Sequence, residues 1–101
     1  MPKLYEYFGL IFFVWTHEHY PMHLHVQRGN QEGIVELLVE NGKLVALRWR
    51  SKKGVPALLP KDQRDAELFV KNKFDDIKAK WVAYFVEHRP IKPERITRRV
   101  K

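Results

Sequence analysis

The sequence predicts a single α+β domain: an antiparallel sheet of about four strands, followed by one or two C-terminal helices packed on one face. Three observations predict it. The first half carries short apolar or alternating runs separated by turn residues, the pattern of strands. The second half changes to helical period after Pro60. A length of 101 residues with 45% hydrophobic content is enough for one core and leaves no room for a second.

Leu10 to Trp15 is a continuous apolar run rich in β-branched and aromatic residues, which predicts a strand buried on both faces. Met22 to Gln27 alternates, with Met22, Leu24 and Val26 on one face and His23, His25 and Gln27 on the other. Arg28-Gly29-Asn30 supplies a turn, and Gly33 to Val39 is strand-like. Asn41-Gly42 is the strongest hairpin signal in the chain, because both residues tolerate positive φ, and a fourth strand follows through Lys43 to Trp49. Beyond a polar loop with Lys52, Lys53 and Gly54, Pro60 is suited to a first helical turn. Ala66, Val70, Phe74, Ile77, Trp81 and Phe85 then recur every three or four residues, an apolar stripe that Phe69 and Tyr84 widen. The stripe keeps its phase through Asn72, so it fits one long helix or two, with two favoured and Asp75 as a second N-cap. Asp76 and Lys80 form an i,i+4 pair on the opposite face. Pro90 and Pro93 end the helical region, which sets the domain at 1–88 and a basic tail at 89–101.

Charge is concentrated in that tail. Of a net +7, residues 89–101 hold +5, with Arg89, Lys92, Arg95, Arg98, Arg99 and Lys101 opposed only by Glu94. These six cations are the candidate binding residues for nucleic acid or an acidic protein surface, which attract them by counterion release and long-range steering. The bland alternative is a solvated tail that aids solubility. The absence of cysteine removes disulfides and thiolate chemistry, so a metal would have to be held by His, Asp and Glu. The longest apolar run is far shorter than the ~20 residues of a membrane helix and leads to no small-residue cleavage site, so a cytoplasmic, non-membrane protein is expected. Nothing resembles a glycine-rich phosphate loop or a dinucleotide fingerprint.

The unusual local feature is a histidine cluster. His17, His19, His23 and His25 fall within nine residues, with Glu18 and Tyr20-Pro21 among them. Side chains at i and i+2 share a face of extended chain, so the histidines pair as 17 with 19 and 23 with 25, and Pro21 bends the chain between the pairs. Convergence of the four would suit a divalent metal such as zinc. Without metal, His19, His23 and His25, with Glu18 as an extra base, would suit acid–base work on a phosphodiester held by Arg28 or Lys43. The bland alternative is that the imidazoles satisfy backbone groups around Pro21. No carboxylate outside the cluster stands at an obvious ligand spacing.

The segment Glu18-His19-Tyr20-Pro21-Met22-His23-Leu24-His25 resembles the hallmark of domain-of-unknown-function family 4160, in which an acid and a histidine lead through prolines into His-x-His. Met1-Pro2, Phe8-Gly9-Leu10-Ile11 and Trp81 are also similar, so the resemblance covers residues 1–85. Glu18 replaces the usual aspartate and Met22 a second proline. The resemblance implies a small bacterial protein, encoded beside another short protein in an arrangement like that of toxin–antitoxin pairs, and it implies no activity.

Two function classes follow. One is a protein- or nucleic-acid-binding component of a toxin–antitoxin-like pair, with a small partner protein encoded nearby and the basic tail as a contact. The other is a metal- or histidine-dependent nuclease or phosphoesterase using the His17–His25 cluster. A homo-oligomer with exposed Tyr5, Tyr7 and Trp49 as interface is a lesser expectation.

Overall fold

Two-residue turns set three of the five strand pairings of the sheet in a computed structural model that describes residues 2–14 and 22–100. Strands β1 (Lys3–Tyr7) and β2 (Leu10–Phe13) meet at Phe8-Gly9, whose φ values of 46° and 86° are those a tight, right-twisted hairpin requires. β3 (His23–Arg28) and β4 (Gln31–Glu40) meet at Gly29-Asn30, and β4 and β5 (Lys43–Ser51) at Asn41-Gly42. Helices α1 (Pro60–Asn72) and α2 (Phe74–Phe85) follow, and β6 (Glu94–Ile96) closes the chain's path. The sheet order is β5-β4-β3-β2-β1-β6. Every pair is antiparallel except β1 with β6, which run parallel with Tyr5 beside Glu94 and Tyr7 beside Ile96.

The α+β class therefore holds, while the expected four antiparallel strands are corrected to six in a mixed sheet. β1 escapes a periodicity argument because it is short and interrupted by Lys3 and Glu6, with a bulge at Leu4. β6 is three residues long and pairs with a strand some ninety residues away. It lies within the segment expected as a basic tail. That segment also packs Ile91, Ile96 and Val100 against the core, and the Val100 N–H donates to the Tyr7 hydroxyl at 3.1 Å. Because residues 3–7 are a strand, Tyr5 and Tyr7 are buried rather than exposed.

Pro60 occupies the first turn of α1, as its fixed φ and missing N–H favour. The helical region divides in two at Lys73, whose N–H bonds the Phe69 carbonyl and whose own carbonyl accepts from Ile77, with no side-chain cap from Asp75. The predicted stripe lies on the sheet: Ala66, Val70, Ile77 and Trp81 are fully buried, Phe74 is buried and Phe85 half-buried. Phe69 is central rather than peripheral, with ring centroids 4.6 to 5.1 Å from Tyr5, Tyr7 and Phe12. The helix-facing side of the sheet carries Phe12, Leu24, Val26, Val35 and Leu37. Gly33 continues this face because the Trp49 indole lies over it, leaving a Cβ there only 3.1 Å from ring carbons. No helix among the described residues is long and apolar enough to cross a membrane.

Candidate functional site

The face of the sheet turned away from the helices is the chemically distinctive surface. Alternation sends Leu24 and Val26 of β3 into the core and therefore sends His23 and His25 to this outer face. The Gly29-Asn30 turn then sets the register, placing Glu36 of β4 directly opposite His23 and Ile34 opposite His25. The next hairpin places Arg48 of β5 opposite Glu36 and Arg50 opposite Ile34.

A charged ladder results across three strands. The His25 Nδ1 lies 3.2 Å from Glu32 Oε2, and the Lys52 ammonium reaches that oxygen from the other side at 3.3 Å. Glu36 Oε1 takes Arg48 at 2.9 Å and Arg50 at 3.6 Å. The His25 ring stacks on Phe13, with centroids 5.1 Å apart, and meets His23 edge-on at 5.6 Å. Exposure is graded across the ladder. His23, His25, Glu32 and Glu36 are only 3 to 7% exposed, whereas the side chains of Arg48, Arg50 and Lys52 are 66, 48 and 37% exposed. The imidazoles and carboxylates are thus set in the interior of the face and the cations stand at its rim.

His23 and His25 share a face as their spacing requires. His17, Glu18, His19 and the Pro21 bend lie outside the described residues, as does Lys101. Among the described residues no group of three or more His, Asp or Glu side chains gathers at metal-binding geometry. Arg28, considered as a phosphate holder, projects to the helix side instead. Its Nε donates to the buried Asp62 at 3.0 Å and its Nη2 to the Phe8 carbonyl at 2.9 Å. Lys43 stands at the far end of β5, beside Glu40.

Two cations of the C-terminal segment reach back to the body of the fold, whereas Lys92 and Arg98 are exposed. Arg95 reaches Glu6 at 3.3 Å, Arg99 reaches Asp65 at 3.7 Å and covers the Phe8 ring at 4.1 Å, and Arg89 lies 3.4 Å from Glu87. A second polar cluster fastens β6: Lys80 donates to Asp76 at 2.8 Å and to Glu94 at 2.7 Å, and the Tyr5 hydroxyl donates to Asp76. The hydrogen bond from Lys80, with that from Tyr5, holds the Asp76 carboxyl below the ordinary carboxylate range. Burial pulls the Lys80 ammonium down, but its bonds to Asp76 and Glu94 outweigh this and raise it above its usual value. The Lys3 ammonium, assisted by Arg95, lowers Glu6.

Glu32, Glu36, Arg48, Arg50 and Lys52 have no spacing that marks them as site residues in the sequence. The available signal was the two-residue turn at Gly29-Asn30, which fixes cross-strand neighbours once both strands are recognised.

The family model described as Domain of unknown function (DUF4160) matches residues 9–82. That span includes the whole ladder and both helices up to Val82, and leaves β1 and β6 outside. No curated protein and no solved structure compared with the chain matches it.

Proposed function

The chain belongs to the family of the domain of unknown function DUF4160, and on that premise we propose that it is a binding component of a two-protein, toxin–antitoxin-like pair in the cytoplasm. Its partner is a small protein encoded nearby that presents an acidic surface. The observation that carries this reading is the graded ladder. Groups able to do chemistry, His25, Glu32 and Glu36, are engaged with their neighbours and buried, while the cations beside them remain accessible. The net +7 of the chain adds long-range attraction to an acidic partner. Arg89, Lys92, Arg95, Arg98 and Arg99 belong to the segment that forms β6, at the opposite edge of the sheet from β5, and offer a separate cationic region for which nucleic acid is the other suitable ligand.

The test is to mix untagged chain with the product of the adjacent gene and follow complex formation as salt rises. A complex that weakens by about tenfold or more between low and physiological salt is expected. A chain that stays a solitary monomer at every salt concentration refutes the reading. Co-purification with nucleic acid in place of protein moves the function to nucleic-acid binding.

A second reading is favoured by the His25–Glu32 contact. A carboxylate on Nδ1 fixes an imidazole's orientation, as a ligand or acid–base histidine requires. With His17, Glu18, His19 and His23, this pair would form a nuclease or phosphoesterase centre, with or without a divalent ion such as zinc. Stoichiometric metal in untagged protein, or RNA cleavage abolished by His25→Ala in a folded chain, would establish it.

A further inference from the structure

The two edges of the sheet differ. The β1 edge is covered by this chain's own β6, whereas among the described residues no strand lies beyond β5. β5 is nine residues long, and with no described strand beyond it, its outward row of backbone donors and acceptors is the template on which an extended segment adds as a further strand. Its side chains specify what that segment must look like. On the outer face Arg48 and Arg50 recur at every second residue, Glu36 approaches them from the β4 side, and their side chains remain 66 and 48% exposed. On the helix side Leu47 and Trp49 are half-buried and packed against the core, with the indole N–H held by Glu67 at 2.6 Å.

We infer that the free edge of β5 accepts an extended segment of a partner protein in which acidic and apolar residues alternate, the acids meeting Arg48 and Arg50 and the apolar residues covering Leu47 and Trp49. This rests on the binding reading above and names the part of the partner that is bound. The docking stretch is the second half of β5. A bulge at Val45, where Leu38 pairs with Ala46 but Val39 with Leu44, breaks the ladder in the first half and turns that end of the edge away. Charge excludes a second copy of this chain: antiparallel β5–β5 pairing sets the arginines of one copy against those of the other, and each copy is +7. The same cations that guard the edge against self-association select an acidic strand.

The test uses the full untagged chain and a synthetic peptide of β5's length in which glutamate and valine alternate. Its controls are an isomer with the glutamates in one block and the valines in another, and a lysine–valine version. Amide hydrogen exchange is read residue by residue. The alternating acidic peptide is expected to slow exchange in β5 by about tenfold or more, in a salt-sensitive way, and neither control should do so. Arg48→Gln/Arg50→Gln, which removes charge without reversing it beside Glu36, should weaken the effect, and Arg48→Glu/Arg50→Glu should transfer the preference to the lysine–valine peptide. Equal protection by the blocked isomer overturns the inference, as does protection confined to residues 89–100. Protection of β5 that grows with chain concentration alone, or that an oligonucleotide produces equally well, also overturns it. A complex with the adjacent gene's product that leaves β5 amides unprotected refutes this inference alone, whereas the absence of any such complex refutes the wider reading.

Discussion

Raising the pH above 10 should destabilise this protein through Tyr5, and Tyr5→Phe should remove that share of the sensitivity. The phenol is fully buried and its hydroxyl donates to Asp76, while the Lys80 ammonium lies 4.9 Å from the ring centroid. Burial, then the hydrogen bond to Asp76 and the charges of Asp76 and Glu94, push its pKa far above the ordinary 10.0. An unfolded chain loses the Tyr5 proton above pH 10 while the folded chain keeps it. The contribution is therefore fully present below pH 10 and declines above it by about 1.4 kcal/mol for each pH unit. Lys80, also raised, acts in the same direction above its ordinary 10.5 in both proteins. At neutral pH the Phe variant gives up a hydrogen bond to a carboxylate, worth about 1.5 kcal/mol, the low end of its range because Asp76 keeps Lys80 and stays half exposed. The two stability curves should therefore converge about one pH unit above 10. Urea unfolding at intervals from pH 8 to 11 measures both curves. Curves that fall in parallel, with the neutral-pH gap preserved at pH 11, would refute the assignment of the alkaline limb to this phenol.

The acid limb has the opposite sign: Asp76, lowered by Lys80 and Tyr5, contributes stability above its ordinary 3.8 that is lost as pH falls through its lowered pKa, so Asp76→Asn should flatten the acid end of the stability curve. Phe69→Ala empties the centre of the aromatic cluster and should cost about 3–5 kcal/mol, read as a fall of at least ~12 °C in the thermal midpoint. Gly33→Ala drives a methyl to 3.1 Å from the Trp49 ring, and a loss of about 1–3 kcal/mol with altered indole emission is expected in denaturant unfolding. Ile96→Ala trims a half-buried contact of β6 and should cost about 1 kcal/mol while speeding amide exchange in β1 more than in β4.

How far the sequence carries depends on the reach of each signal. Asn41-Gly42 and Pro60 act on their own φ angles, and both turn and helix start where those residues stand. The stripe from Ala66 to Phe85 is set by the helical repeat, so its buried face and the division into two helices near Asn72 were legible, whereas the expected cap by Asp75 is absent. His23 and His25 shared a face because strand geometry leaves no other choice. Their depth of burial was not legible, because it depends on Phe13 and Glu32 from the neighbouring strands. The C-terminal cations illustrate the same divide. Their number is a property of composition, but the contacts of Arg95 with Glu6 and Arg99 with Asp65 required the chain to return to β1 and α1.

By itself, then, the sequence determined the strand and helix periods, the main turns, the absence of thiol chemistry and the uneven placement of positive charge. Each of these follows from the covalent geometry or the chemistry of residues a few positions apart. Only the tertiary structure decided that Glu36 stands beside the arginines of β5 and Glu32 between His25 and Lys52, that β6 covers one edge, and that among the described residues no strand lies beyond β5. Those outcomes depend on strand register and long-range pairing, where the free energy is shared by groups far apart in the chain and no local pattern records it.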